Sequence, residues 1–210
     1  MYTLYARNGW GSVLVEAQLA LYGLPYRLVE VGDLFASEEA REALRAVNPL
    51  AQVPTLVLPD GQVMTESAAI TLHLADLTGR DDLVPGPQAP ERAAFLRWLV
   101  FLVANIYPCF TFADEPARYV AIEAAQRPFR AAVDERLATL WQVVEQACVG
   151  PHFLGERFSA LDIFVAVMTH WRPNRPWFAE HCPRLAAAAQ AADAHPALVP
   201  VWTRNFAPAA

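Results

Sequence analysis

Glu66 and Ser67 are adjacent polar residues at the point where a predicted hairpin ends and a predicted helix begins. Before them, two short apolar runs flank Pro59-Asp60-Gly61, a pattern typical of a β-hairpin. After them, apolar residues recur at helical spacing, at Ile70, Leu74 and Leu77. A helix start offers free N–H groups that suit a carboxylate, and Glu66 adds a charge that suits an ammonium group. The pair therefore favours binding of the amino-acid end of a small peptide.

The segment Gln52-Val53-Pro54, just before this hairpin, could hold the rest of the same peptide. Pro54 restricts Val53 to extended dihedrals. A cis bond between them would leave the N–H and C=O of Val53 facing outward at the start of a strand. Those two groups can pair with a peptide that lies alongside them like an added strand. Gln52 lies next to them and is a candidate for the other end of the peptide.

The elements that must position these residues form a recognisable order. Residues 2–5 predict a strand, Ser12 is a predicted N-cap for a helix that ends at Gly23, and residues 26–31 predict a second strand. A strand, a helix and a strand in succession form a βαβ unit with parallel strands. A short helix at 38–47, the hairpin and the Glu66 helix complete the order βαβαββα. The sequence therefore predicts a thioredoxin-like domain with a four-stranded mixed sheet at residues 1–79.

The rest of the chain has a different pattern. Residues 80–90 are rich in Gly and Pro and predict a linker, and residues 91–210 predict an all-helical bundle. Pro108 is expected to end or kink the first helix of that bundle. Ser159 and Asp162 form a predicted capping box for an apolar helix at 161–171. Further helices are predicted at 91–107, 130–148 and 186–194, followed by a tail at 201–210.

Composition narrows the class of partner. The chain has 210 residues, 55% of them hydrophobic, and a net charge of −6, which argues against a nucleic-acid surface. It begins without a basic leader, and no apolar run of membrane-spanning length lacks a charge or a proline. Its three cysteines are far apart and form no Cys-x-x-Cys pair, which fits a reducing cytoplasm. We therefore expect a cytoplasmic protein with neither a nucleic-acid nor a membrane partner.

Two motifs together carry a family resemblance. Asn48-Pro-x-x-Gln-Val-Pro, followed by Glu66-Ser67-Ala-Ala-Ile, resembles the glutathione-binding half of the glutathione S-transferase superfamily. The Ser159 capping box resembles the one that opens the core helix of that family's second domain, so the likeness covers nearly the whole chain. The resemblance implies a homodimeric detoxification enzyme that binds glutathione through Gln52, Val53, Pro54, Glu66 and Ser67. Glutathione would be the co-substrate, and no metal is required.

The implied chemistry needs a hydrogen-bond donor near the thiol. A thiol with a pKa of about 8.5 is only a few per cent ionised at pH 7, and lowering its pKa by about 2 units requires about 2.7 kcal/mol. The family position that often carries an activating serine is Gly9, and the tyrosine position is Tyr5. Ser12 at the helix start is the first candidate donor, followed by Tyr5 and Asn8. A backbone amide with the helix dipole is a further option.

The second substrate is expected to be hydrophobic. Aromatic residues that could line its pocket are Trp10, Tyr107, Phe110 and Phe112. The loop from Asn8 to Ser12 contains no cysteine, so a mechanism through a protein thiol is excluded there. The leading prediction is a transferase that stabilises the glutathione thiolate for attack on an electrophile. The alternatives are a glutathione-dependent isomerase or disulfide reductase, or a non-catalytic glutathione-binding module, which Gly9 at the serine position keeps open.

Overall fold

A computed structural model of the protein describes residues 1–207. The chain divides into two compact units, one formed by Met1–Gly86 together with the chain from Ala192 onward, the other by Pro87–Ala191. The first unit begins with the order βαβαββα, which confirms the predicted thioredoxin-like arrangement. Its elements are β1 (Tyr2–Ala6), α1 (Val13–Tyr22), β2 (Tyr26–Glu30), α2 (Glu38–Arg45), β3 (Thr55–Val57), β4 (Val63–Met64) and α3 (Ser67–Thr78).

The four strands form one mixed sheet in the order β2-β1-β3-β4. β1 pairs with β2 in parallel, while β3 is antiparallel to both β1 and β4. The central strands are anchored by Leu4 and Leu56, which are cross-strand partners and fully buried. A helix joins the two parallel strands because such a pair needs a crossover connection. The antiparallel pair β3–β4 closes through the predicted Pro-Asp-Gly turn.

The remaining elements are helical, as predicted. They are α4 (Arg92–Phe101), a π-helical turn (Leu102–Ile106), α5 (Tyr107–Asp114), a 3₁₀ turn (Pro116–Arg118), α6 (Glu123–Ala147), α7 (Ala160–Met168), α8 (Arg175–His181), α9 (Pro183–Asp193) and α10 (Val199–Phe206). Several predicted limits differ from the observed ones: the first helical run continues past residue 107, α7 ends at Met168 rather than at residue 171, and α8 was not predicted. Two further differences concern α6 and the tail. α6 begins at Glu123 and accommodates Pro128 inside it. The predicted tail from Val201 is helical to Phe206, and its last three residues lie outside the described chain.

Pro108 was expected either to end or to kink the first helix of the second unit, and it does not end it. The chain passes from α4 through the π-helical turn into α5, with Pro108 in the first turn of α5. Proline lacks an N–H and its ring clashes with the carbonyl four residues earlier, and the wider π turn removes that conflict. The whole run Arg92–Asp114 is long and apolar enough, by length and composition alone, to cross a membrane. Its core residues are fully buried: Phe95, Leu99, Leu102 and Ile106.

The predicted capping box at the start of α7 is present. The Asp162 carboxylate accepts a hydrogen bond from the Ser159 backbone amide at 2.8 Å, and the Ser159 hydroxyl accepts one from the Leu161 amide at 3.3 Å. Asp162 also accepts the Phe153 amide at 2.7 Å. All nine residues of α7 are buried, which explains why its sequence is apolar on every face.

Candidate functional site

The segments that the sequence predicts to bind glutathione meet at one edge of the sheet. Tyr5 near the end of β1 is the antiparallel partner of Thr55 at the start of β3. Leu56 in β3 pairs with Met64 at the end of β4, and α3 begins three residues later. The end of β1, the start of β3 and the start of α3 therefore share this edge. The loop that leads from β1 into α1 begins there as well.

Asn48 organises the turn that precedes β3. Its side chain is 4% exposed and donates from Nδ2 to the Gln52 carbonyl and to Thr55 Oγ1, both at 3.0 Å. Its Oδ1 accepts the Leu50 amide at 3.1 Å. The Thr55 hydroxyl donates to the same Gln52 carbonyl at 2.7 Å. These bonds explain why an asparagine opens the motif, a role that the sequence analysis did not assign.

The Val53–Pro54 peptide bond is cis. The Val53 side chain is buried in a small core cluster, whereas within residues 1–207 its backbone N–H and C=O have no hydrogen-bond partner. The neighbouring Gln52 side chain is exposed. Val53 thus presents one donor and one acceptor at the start of β3, the pattern that an added peptide strand requires.

Glu66 has a left-handed backbone with φ +63°, although it is not a glycine. Such residues are uncommon and often mark a functional position. Its side chain is exposed, while Ser67 is 7% exposed at the start of α3. Thr71 Oγ1 donates to the Ser67 carbonyl at 2.8 Å and accepts from Gln18 Nε2 at 2.9 Å. The buried pair Gln18–Thr71 therefore fixes the start of α3 against α1.

Ser12 does not act as the predicted N-cap. Its dihedrals are already helical, φ −61° and ψ −25°, and its hydroxyl makes no capping bond. The hydroxyl instead accepts the Arg7 amide at 3.1 Å and donates to the Arg7 carbonyl at 3.2 Å. Ser12 is 1% exposed, so it closes the loop by binding both backbone groups of Arg7. Its role as thiol donor stays a prediction, and the hydrogen it would need is donated to Arg7 here.

The start of α1 offers other donors. Within residues 1–207, the N–H groups of Gly11 and Ser12 have no hydrogen-bond partner, as expected in the first turn of a helix. Asn8 is exposed in the same loop. Tyr5 is half-buried and packs against the cluster that contains Val53. Both side chains therefore lie on the segment that leads to the helix start, and their catalytic roles stay predictions.

Arg7 and Asp33 fix the outer side of the loop. Arg7 Nη2 lies 3.0 Å from Asp33 Oδ2, and the Arg7 guanidinium lies 5.3 Å from the centroid of the Trp10 ring. The backbone amides of Phe35 and Ala36 donate to Asp33 Oδ1 and, with the Arg7 charge, hold the pKa of Asp33 below its ordinary value. The Trp10 ring also contacts Phe35, with centroids 4.7 Å apart. Trp10 is therefore held on two sides.

The residues predicted to line the second-substrate pocket fall in both units. Trp10 lies in the first unit, and the other three lie on α5 in the second. Tyr107 and Phe110 each pack edge-to-face on Trp171, with centroids 5.6 and 5.0 Å apart. Phe112 is 38% exposed and pairs with Tyr119 instead. The structure thus brings Tyr107 and Phe110 together against Trp171. The second-substrate pocket stays a prediction.

Asn205 in α10 contacts the loop that leads into α1, and the sequence did not predict this contact. Its Oδ1 accepts the Gly9 amide at 3.2 Å, and its Nδ2 donates to Glu16 Oε2 at 3.0 Å. Residues 201–210 were expected to form a tail rather than a helix. The signal for a helix was present: Pro200 suits a first turn, and Trp202 and Phe206 are four residues apart.

Comparison with known proteins agrees with the fold. Residues 15–77 match the family model for the N-terminal domain of glutathione S-transferase. The uncharacterized GST-like protein YncG of Escherichia coli K12 is 38% identical over 205 residues, which cover 98% of each chain. A probable maleylacetoacetate isomerase of Caenorhabditis elegans is 42% identical over 91 residues, 43% of this chain and 40% of the relative.

A solved structure matches along nearly the whole chain. The crystal structure of a glutathione transferase homologue from Sulfitobacter, with bound glutathione, has a TM-score of 0.85 at 27% identity. The match covers 96% of each chain and includes both the thioredoxin-like and the helical parts. The family model over residues 15–77 and the 38% identical relative, which matches 98% of this chain, agree with each other. The chain therefore belongs to the glutathione S-transferase superfamily.

Proposed function

We propose that the protein is a glutathione transferase that stabilises the glutathione thiolate for attack on an electrophilic, hydrophobic second substrate. The observation that carries the proposal is the meeting of three features at one sheet edge: the backbone groups of Val53, which have no partner among residues 1–207, the Glu66–Ser67 pair and the start of α1. The glutathione bound by the Sulfitobacter homologue, which shares the fold, supports the same ligand here.

Glutathione binding uses groups that the fold leaves available. Val53 pairs with the peptide backbone through its N–H and C=O, and Gln52 reaches the glycyl end. The Glu66 carboxylate binds the γ-glutamyl ammonium group, while the Ser67 amide and hydroxyl bind the adjacent carboxylate. This arrangement leaves the cysteinyl part of glutathione directed toward the loop at the start of α1.

The thiolate is stabilised by the first turn of α1. Its sulfur accepts hydrogen bonds from the N–H groups of Gly11 and Ser12, assisted by the positive end of the helix dipole and by the Asn8 side chain. Charge-assisted bonds of about 1.5–3 kcal/mol each supply the required stabilisation. The thiolate then attacks an electrophilic carbon, the leaving group departs with its bonding electrons, and the thiol proton passes to solvent.

Several finer features belong to the same proposal. The second substrate contacts Trp10 and the aromatic residues of α5, and the enzyme works as a cytoplasmic homodimer, as the family resemblance implies. All three cysteines are buried and form no disulfide, which supports a reducing compartment. Detoxification of small electrophiles is the role that fits this chemistry.

The proposal is tested by titrating the thiol in the binary complex. We expect the ultraviolet thiolate absorbance of bound glutathione to report a pKa about 2 units below that of free glutathione. Conjugation with a chlorinated dinitrobenzene should follow the same ionisation. Tight binding with an unshifted thiol pKa and no turnover on several electrophiles would instead support the non-catalytic module.

A matched pair of variants at one position separates the two donors of Ser12. Ser12→Ala removes only the hydroxyl, whereas Ser12→Pro also removes the N–H, and the native φ of −61° suits proline. We expect Ser12→Pro to raise the bound-thiol pKa by about 1 unit more than Ser12→Ala does. Equal effects would assign the donor role to another group, and Tyr5→Phe and Asn8→Ala would then identify it.

A glutathione-dependent isomerase is the second candidate, supported by the local likeness to the maleylacetoacetate isomerase. The same thiolate would add to a cis carbon–carbon double bond, allow rotation about the resulting single bond, and leave as the trans bond forms. Glutathione would therefore be regenerated. An assay with a cis-configured unsaturated diketo acid distinguishes the candidates, because isomerisation consumes no thiol while conjugation consumes one per product.

A further inference from the structure

The C-terminal helix α10 touches the loop that leads into α1. The Gly9 amide donates to Asn205 Oδ1 at 3.2 Å, a contact between residues 196 positions apart. Gly9 has a left-handed φ of +75°, and a Cβ added there would lie 3.5 Å from the Asn205 backbone carbonyl. The tip of the loop therefore rests on the last turn of α10. A residue with a side chain at position 9 would be strained by the backbone even where space permits it.

The orientation of the Asn205 amide is fixed by its other contacts. Its Nδ2 donates both to Glu16 Oε2 at 3.0 Å and to the Val201 carbonyl at 2.9 Å. Because both of those partners are acceptors, the nitrogen must face them and Oδ1 must face Gly9. The geometry thus admits only one assignment of the two amide atoms.

Glu16 anchors this contact inside the first unit. It is 1% exposed on α1, and its carboxylate also pairs with Arg204 and accepts the Tyr26 hydroxyl at 3.4 Å. A buried carboxylate with three partners is costly to rearrange, since each lost partner leaves charge unsatisfied. Asn205 therefore links the buried Glu16 carboxylate on α1 to the loop at Gly9.

The two ends of the loop are held by different residues. Ser12 holds the side next to α1 through the Arg7 backbone, and Asn205 holds the tip at Gly9. Building on the proposed transferase function, we propose that Asn205 is a positioning residue. It holds residues 8–11 so that the donors at the start of α1 stay directed at the glutathione sulfur.

The test compares Asn205→Ala with Thr203→Val. Thr203 lies on the same helix, is exposed, and its hydroxyl donates only within that helix, to the Val199 carbonyl. Loss of the Asn205 contact should speed hydrogen exchange of the Gly9 amide about tenfold, raise the bound-thiol pKa by about 1 unit and lower kcat about tenfold. The KM for glutathione should change less than about threefold, because the residues that bind its ends are untouched. Thr203→Val should match the wild type in all four measurements.

Two results would overturn the inference. One is a folded Asn205→Ala protein whose thiol pKa and kcat match those of the wild type. The other needs no variant: an unprotected Gly9 amide in the wild-type protein without glutathione, which would show that α10 does not hold the loop. An unshifted thiol pKa in the wild-type complex is a different failure. It would reject the transferase function and leave the Gly9 exchange experiment to decide on the contact itself.

Discussion

Ser12 illustrates, at the scale of the residue, how one side chain can serve a loop rather than a ligand. Its position before a helical pattern predicts an N-cap, yet its dihedrals are helical and its hydroxyl binds both backbone groups of Arg7. A hydroxyl has one hydrogen, so the bond to the Arg7 carbonyl competes with any bond to a thiolate. The local sequence shows that a polar residue is needed there, and only the folded loop shows which groups it binds.

The negative charge of Glu66 leads to a prediction about the affinity for glutathione. The exposed Glu66 carboxylate stands beside the start of α3. Under the proposed binding mode, Glu66→Gln should weaken glutathione binding about tenfold, because it removes the negative charge assigned to the γ-glutamyl ammonium group. Isothermal titration calorimetry measures the change. Asp76→Asn is the matched control, because it removes an exposed carboxylate from the same helix near its other end. An equal loss in the control would mean that the net charge, rather than the site, sets the affinity.

The residues proposed to bind glutathione could be selected from the sequence because each has a local signal. The proline after Val53 and the polar pair before a helix are visible in a few residues. The pairings of β1 with β2 and of β3 with β4 then follow from the βαβ unit and the hairpin. Asn205 has no such signal, since its partners Gly9 and Glu16 lie at the other end of the chain. Contacts of that range depend on the whole fold, which the motifs predict only in outline.

The start of α7 shows, at the scale of the element, how a capping box can gain a second task. Besides capping, the Asp162 carboxylate accepts the Phe153 amide and so ties the preceding segment to the helix. Helix propensity and apolar spacing predicted this helix, and its four-residue box predicted where it starts. The limits of α6 were less accurate because Pro128, which sequence rules treat as a helix breaker, lies inside it.

Asp162→Asn should lower the free energy of unfolding by about 2–4 kcal/mol, because one amide oxygen cannot replace two carboxylate oxygens that face buried N–H groups. Ser159→Ala removes the hydroxyl that caps the helix and donates to Asp162 at 3.0 Å, while it leaves both amide bonds to Asp162 in place, and should cost about 1 kcal/mol. Urea unfolding followed by circular dichroism gives both values. Similar losses for the two variants would indicate that the Phe153 contact contributes little.

At the scale of the whole molecule, the burial of the cysteines predicts how the folded chain reacts with thiol reagents. All three cysteines are buried, and burial raises the pKa of Cys148 to about 11 and that of Cys182 to about 12. Burial also raises the pKa of Cys109. A raised pKa keeps each thiol protonated and unreactive at neutral pH. The only reactive thiol in the proposed mechanism is therefore that of glutathione.

A chromogenic thiol reagent at pH 8 should modify less than about one cysteine per folded chain and all three once the chain is denatured. The reaction of the folded protein should accelerate only above the pKa of an exposed thiol, about 8.5, because burial raises the pKa of all three cysteines. Rapid reaction of a folded thiol at pH 8 would show that a cysteine is accessible as its thiolate. Such a thiol would also have to be replaced before glutathione consumption is measured.

The first compact unit is assembled from two separate stretches of chain, residues 1–86 and the residues from Ala192 onward. Glu16, in the first stretch, is 1% exposed and pairs with Arg204 and Asn205 from the second. During synthesis Glu16 leaves the ribosome well before these two partners, because 187 residues separate it from Arg204 along the chain. The ion pair and hydrogen bond that the buried Glu16 makes in the first unit therefore form only after the whole second unit, Pro87–Ala191, has been translated.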